Sequence, residues 1–275
     1  KKGYLKEMEE KTAIKLAEYK ASLSKEQIAD LIRQTKELKA FQEAPSTEEE
    51  LEAIPMLDVA DIQKEAQPLV NEERHIGETT VLFHPVFTGG IGYMEAVFCA
   101  DSVEMDDLPY LALLKSILGF VDTEKHSYQE LADEINIHTG GIGCSLSHYT
   151  HIQDPAHPFT VFSVQGKALY QKLGEMIGLV EEILNGSKLE DDKRLAEIVG
   201  QLRSRAQTRL ISSGHSAAVN RCISYFEPEA YLGELTGGIG YYHFLEELDH
   251  DFQNRKDEMK LRLKKVMSQV FIREN

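Results

Sequence analysis

His243-Phe244-Leu245-Glu246-Glu247 comes within one position of H-x-x-E-H. In that helical pattern two histidines one turn apart grip zinc and the glutamate activates water. The fifth residue here is Glu247, not histidine. A His243/Glu247 pair can ligate a metal only with a third ligand that the sequence does not advertise. The plainer reading is a helix with Phe244, Leu245 and Leu248 inward and its acids outward. Cys144, His148, His151 and His157 also have the types that bind metals, yet C-x3-H-x2-H-x5-H matches no recurrent zinc framework. Strand parity puts Cys144 and His148 on one face, whereas His151 and His157 fall in a loop flanked by Pro155 and Pro158. Ordinary surface histidines are the plainer reading there.

Three further patterns carry less. Gly214-His215-Ser216-Ala217-Ala218 approaches the nucleophile elbow G-x-S-x-G, but it lacks the last glycine and follows helical sequence where a strand belongs. Cys222 adjoins Arg221, a cation able to lower a thiol pKa, without an organised Cys–His–acid set. Thr-Gly-Gly-Ile-Gly starts at Thr88, Thr139 and Thr236. None of these fits G-x-G-x-x-G or the P-loop, and the first runs into a strand pattern where a phosphate cradle needs a helix N-terminus. Their unequal spacing excludes a solenoid. Turns in which glycine takes positive φ are expected.

These residues need elements to hold them. Leu5, Met8, Thr12, Leu16, Tyr19 and Leu23 recur at three-and-four spacing, as do Ile28, Leu31, Thr35, Leu38 and Phe41. Two helices result, the second opened by a capping box at Ser24/Gln27 and stopped by Pro45. So narrow a stripe forms no core alone and predicts a hairpin that leans on another surface. Ser46–Glu50 caps a short turn ended by Pro55, within a connector punctuated by Pro68. From Thr79 the pattern predicts strands at Thr79–Phe83, Tyr93–Cys99, Gly143–Tyr149 and Phe159–Val164. Helical patterns cover Pro109–Leu118, Ser127–Ile137 (with a second capping box), Ala168–Leu184, and Asp191 through Ile211. The expected class is α+β, a mixed or antiparallel sheet covered by helices and preceded by a long helical hairpin. The expected boundaries are 1–53 for the hairpin, 54–78 for the connector and 79–275 for the domain.

Composition narrows the function. The net charge is −16, which opposes binding to nucleic acid, whose phosphates need basic stripes. Three cysteines, odd in number and far apart, argue against a disulfide scaffold and for a reducing compartment. No apolar run reaches transmembrane length and no signal-peptide pattern opens the residues, so no membrane partner is expected. Lys1-Lys2-Gly3-Tyr4 enters helical periodicity at once and Val270-Phe271-Ile272 stops on an apolar run. Both ends are expected to continue in a longer polypeptide.

Several long stretches resemble a known family. "LIRQTKELKAFQEAP" (Leu31–Pro45) and "IPMLDVADI" (Ile54–Ile62) are similar to the hairpin linker of presequence proteases, in the pitrilysin (insulinase-like) zinc metallopeptidase family. "FTGGIGYMEAVF", "LPYLALLKSILG", "SYQELADEINIHTGGIG", "GHSAAVNRCISYF" and "GIGYYHFLEEL" resemble the domain that follows that linker. The resemblance spans nearly the whole chain in the family's order. It implies four homologous α+β domains in two halves, closing like a clamshell around unstructured peptides, with zinc on an H-x-x-E-H helix of the first domain. This chain would be the hairpin and the third, peptidase-associated domain. In the matching register, Tyr110, Leu113 and Leu114 take the places of the first histidine, the glutamate and the second histidine, and Leu108–Gly119 contains no histidine or acid.

The resemblance therefore implies no catalytic residue, no metal ligand and no cofactor in this chain, with zinc in the absent N-terminal domain. The sequence singles out no substrate-binding residue. The expected partners are the remaining domains of the same polypeptide and an unstructured peptide. The expected place is the cytoplasm of a bacterium, or the mitochondrial matrix in a eukaryote. Two rivals stay open: a stand-alone peptide-binding or assembly module, and an autonomous metalloenzyme using His243/Glu247 or the His148 cluster.

Overall fold

The computed structural model describes residues 4–62, 64–65, 68, 70–273 and 275, without the side chains of residues 4, 5, 7, 8 and 155. Lys1–Gly3, and the side chains of Leu5 and Met8 in the first stripe, lie outside what is described. The chain divides into two compact units, residues 1–69 and 70–275.

The first unit holds α1 (Tyr4–Ser22), α2 (Lys25–Glu43) and α3 (Glu48–Glu52). The Ser24 box forms as expected: the Gln27 N–H donates to Ser24 Oγ at 3.2 Å, and the Ser24 N–H donates to Gln27 Oε1 at 2.8 Å. Thr47 and Glu50 make the same reciprocal pair for α3. α2 ends because Ala44, the residue before Pro45, is held extended at ψ 131°. Arg33 bridges Asp30 and Glu37 on the surface of α2. The apolar positions of these helices face solvent, Leu16 being 61% and Phe41 77% exposed.

The second unit begins with β1 (Glu72–Ile76) and β2 (Thr79–Phe83), an antiparallel hairpin that turns at Gly77 with φ 65°. β1 lies where the sequence predicts only connector. Its run of charged residues carries no alternation, and pairing with β2 makes it a strand. β3 (Ile91–Cys99), β4 (Ile142–His151) and β5 (Asp154–Leu169) form an antiparallel sheet in the order β3-β5-β4.

β5 is far longer than the expected Phe159–Val164. It runs through Pro155 and Pro158 and takes in Ala168, where a helix is predicted. The prolines are tolerated because β3 pairs only with Val161–Leu169, so the stretch before it has β4 on one side and no strand on the other among the described residues. Ala168 and Leu169 stay extended because they pair with Gly92 and Ile91.

The helices that follow β3 are α4 (Leu108–Ile117), α5 (Tyr128–His138), α6 (Leu173–Gly186), α7 (Asp192–Ser212), α8 (Gly214–Ile223), α9 (Pro228–Gly237), α10 (Ile239–His250) and α11 (Phe252–Val270). α5 opens on the predicted Ser127/Glu130 capping box. α4 is the centre of the core. Leu111, Ala112, Leu113, Leu114 and Ile117 are fully buried, and the helix packs against β4, α7, α9 and α11. A helix that is apolar all round has no face to give to water, so other elements surround it. α11 contributes Met259, Leu263, Val266 and Val270, one to each turn. Phe271 then wedges edge-on against Phe98 and Phe162, each at 5.2 Å between ring centroids.

A buried carboxylate ties α11 to the start of α4. Asp107 is fully buried and accepts from Arg262 Nη1 at 2.5 Å and Lys265 Nζ at 2.7 Å. Burial raises its pKa, but the two cations outweigh that and hold the carboxyl below its usual range. A carboxylate of this kind stabilises the fold fully above the unfolded pKa of about 3.9 and loses that contribution as pH falls through the lowered folded value. Asp107→Asn is expected to cost about 1–3 kcal/mol near neutral pH, and Leu114→Ala about 2–5 kcal/mol. Urea melts should show the Asp107→Asn penalty shrinking in acid while the Leu114→Ala penalty persists; a pH-independent Asp107→Asn penalty would contradict the ion-pair account.

Candidate functional site

Three features weighed from the sequence meet at one cleft in the second unit. The cleft has a volume of about 650 Å³. One wall is Ser147-His148-Tyr149 of β4, another is α8 with Ser216, and α9 supplies Glu229, Glu234 and Gly237. Thus His148, the elbow-like serine and the third Thr-Gly-Gly-Ile-Gly copy, 88 residues from His148 in the case of Thr236, are brought together.

His148 sits between two threonines. Its Nε2 lies 2.7 Å from Thr236 Oγ1 and its Nδ1 3.0 Å from Thr160 Oγ1. The Thr236 hydroxyl donates its proton to the Leu232 carbonyl at 2.9 Å. It must therefore accept from His148, which makes Nε2–H the donor, and Thr160 donates to Nδ1. Burial lowers the pKa of this imidazole, with Glu229 opposing and Lys115 adding to the effect. Both nitrogens are occupied and the ring is held neutral, so His148 does not serve Ser216 as a base. The helical entry to Ser216, with α7 ahead of α8, likewise lacks the strand of a nucleophile elbow.

Glu234 anchors the other wall. It is 3% exposed, receives Arg221 Nη1 at 3.0 Å, and accepts the Gly240 N–H at 2.8 Å, capping the first turn of α10. Its second oxygen, Oε2, is buried without a hydrogen-bond partner. Arg221 is therefore committed to Glu234 and to the face of Tyr225, leaving exposed Cys222 without an activating set. Nothing local in the sequence marks Glu234, Glu229, Thr160 or Thr236 as a group. The one available signal is that Thr236 opens a Thr-Gly-Gly-Ile-Gly copy.

The three copies are not alike. Gly89 and Gly90 take φ of 62° and 87°, and Gly141 takes 121°, as expected of turns. The third copy spans the junction of α9 and α10, and Gly238 has φ −87°. Glycine is needed there because a Cβ would overlap Glu234 Oε2. That expectation is corrected: close approach of a carboxylate, not positive φ, explains the third copy.

The other candidates stay apart. Cys144 and His148 do share a face of β4, and burial pushes the Cys144 thiol up to about 11. His151 and His157 lie in β4 and β5 and not in a loop, with His157 paired to Asp154 at 2.9 Å. On α10, His243 meets Glu246 at 3.5 Å and Glu247 meets Arg255 at 3.8 Å, while Leu245 and Leu248 are buried as expected. Among the described residues no three His, Cys, Asp or Glu side chains are placed to share a cation, and no helix is long and apolar enough to cross a membrane. Tyr110 packs edge-on to Phe244 at 4.9 Å, and Leu113 and Leu114 are fully enclosed. A zinc ion does not fit this set.

Residues 1–248 match the peptidase-associated family, the region that accompanies the metallopeptidase domains of presequence proteases. Protein HypA of Clostridium perfringens is 34% identical over 95% of this chain and 27% of its own length. Presequence protease 1, chloroplastic/mitochondrial, of Arabidopsis thaliana is 31% identical over 94% of this chain and 23% of its own length. The chain thus spans about a quarter of the length of these relatives. A crystal structure of a conserved protein from Enterococcus faecalis superposes with a TM-score of 0.50 at 12% identity, covering 69% of this chain and 46% of that one, a likeness of fold alone.

Two outcomes check this geometry. Gly238→Ala should destabilise by about 1–3 kcal/mol through overlap, whereas Gly237→Ala, whose Cβ would meet nothing within 4 Å, should change little. Equal effects would contradict the close-approach account. Because the folded state prefers neutral His148, its contribution is complete above the unfolded pKa of about 6.5 and is lost as pH falls toward the lower folded value. Replacing it as His148→Gln should remove that part of the pH dependence below about pH 6.5 in thermal melts.

Proposed function

Because this chain belongs to the peptidase-associated family of the pitrilysin-type presequence proteases, we propose that it is the non-catalytic portion of a zinc metalloendopeptidase that degrades short unstructured peptides in a closed chamber. Residues 1–53 act as the hinge hairpin, 54–78 as the connector, and 79–275 as part of the chamber wall. The observation that carries this reading is α4. Where the resembling catalytic domain has its metal-gripping helix, this chain has Tyr110, Leu113 and Leu114 buried in its core. Leucine has no lone pair to offer a cation or a water proton, so the chain contributes no catalytic residue and no metal ligand. Zinc belongs to the N-terminal domain of the longer polypeptide and supplies the hydrolytic chemistry there.

What this chain's residues do is positional. The exposed apolar side chains of α1 and α2, among them Leu16, Leu38 and Phe41, await cover by other domains of the same polypeptide. The relatives' greater length supports such domains. A chamber that closes on its peptide excludes folded proteins by size and shields the reaction from bulk water. The three unpaired cysteines support a reducing compartment: cytoplasm in a bacterium, mitochondrial matrix in a eukaryote.

Complementation tests the proposal. The remaining domains, expressed without this segment, should cleave an unstructured fluorogenic peptide poorly and recover at least about tenfold when this chain is added. Recovery should be unaffected by H243A or H148A in a folded chain. No gain on mixing, together with full activity of the other domains alone, would refute the chamber role.

A further inference from the structure

We propose that the open edge of β4, with the cleft beside it, binds an extended peptide segment and places a lysine or arginine side chain against Glu229. The inference rests on the preceding reading only in taking the peptide to be the substrate. The binding itself is a property of this chain.

The edge is defined by hydrogen bonds on its far side. Thr160 accepts the Ala100 N–H at 2.9 Å and donates its own N–H to Asp101 Oδ1 at 2.8 Å, so both of its backbone groups point away from β4. His148 is its antiparallel partner. Alternation along an antiparallel ladder then turns the His148 N–H and C=O away from β5, and does the same two and four residues earlier at Leu146 and Cys144. β4 is the last strand of its sheet. Ser147, His148 and Tyr149 all line the cleft although successive side chains point to opposite faces. What lines it is therefore the strand's edge.

The space suits a strand. β-strands pair about 4.8 Å apart, and the cleft's volume of about 650 Å³ falls within the range of built ligand sites. Facing β4 are short side chains, Ser216 and Ala217 on α8 and Ala230 and Gly233 on α9, which leave room for an added backbone. An unpaired edge beside a cleft is the geometry of recognition by strand addition, with main-chain bonds for affinity and a side-chain pocket for selectivity.

The pocket is acidic. Thr150 donates to Glu229 Oε2 at 2.5 Å, and Glu229 Oε1 makes no hydrogen bond among the described residues. The enclosed Oε2 of Glu234 adds a second unsatisfied carboxylate oxygen to the same wall. The nearby guanidinium groups are engaged, Arg209 with the Gly237 carbonyl and Arg221 with Glu234. A cation on the incoming segment completes this set, and an anion is repelled by it.

The test uses the 275-residue chain and a fluorescent ten-residue unstructured peptide with one central lysine, read by anisotropy and by amide hydrogen exchange. The lysine peptide should bind about fivefold or more tightly than its glutamate counterpart. Saturation should protect the Leu146 and His148 amides. Methylating alternate peptide nitrogens on the pairing edge should abolish binding, whereas methylating the other set should not. Glu229→Gln, checked for folding by circular dichroism, should erase the lysine preference and retain the edge protection. Equal binding of the two peptides, no protection at Leu146 and His148, or no binding up to about 1 mM would each overturn the proposal. Peptide binding without complementation sinks the chamber reading alone, and complementation without peptide binding sinks this site alone.

Discussion

The burial of one helix constrains everything in the larger unit. α4 carries apolar residues on every side, so it can exist only where a sheet and several helices enclose it. β4 lies against it, and α7, α9 and α11 close the remaining directions. Each of these must present an apolar stripe at the right height, which α11 does through Met259, Leu263, Val266 and Val270. Asp107 then fixes the relative height of α4 and α11 by accepting from two residues of the latter. A helix surrendered so completely to packing has no solvent-facing side on which to assemble polar chemistry. In this unit polar groups gather instead at the sheet's margin, where β4, α8 and α9 fail to meet.

That division explains which parts are legible in the sequence. Capping boxes at Ser24 and Ser127 are local, because donor and acceptor lie three residues apart, and both form. The strands with β-branched and aromatic character announce themselves, and so do the helices up to α7. What escapes is set by distant partners. β1 is a strand because β2 pairs with it, and the early part of β5 persists through two prolines because it has a single neighbour. Beyond Ile211 the chain folds into four successive helices whose boundaries no periodicity announces.

The cleft is harder still to read. His148 attracts notice for the wrong company: Cys144, His151 and His157 are near in sequence, yet its hydrogen-bond partners are Thr160 and Thr236. A strand places a histidine opposite residues of another strand and beneath a helix, and neither can be inferred from intervals along the chain. The third glycine-rich copy shows the same point from the other side. Its letters equal those of two turns, but its second glycine answers to the carboxylate of Glu234. Identical pentapeptides serve different steric demands because the demand comes from outside them.

The overhang of β4 and β5 beyond the end of β3 carries a last consequence. A naked ribbon of this kind, bearing Tyr149 and Phe159 side by side, invites a second molecule to stack on and begin a fibril. Pro155 and Pro158 withhold amide protons along the flank that β3 does not reach, so a neighbour arriving there finds an interrupted ladder. Self-association is thereby discouraged on one border of the ribbon while the opposite border keeps its full complement of donors and acceptors. The molecule can thus stay solitary at high concentration without sacrificing a margin that welcomes guests.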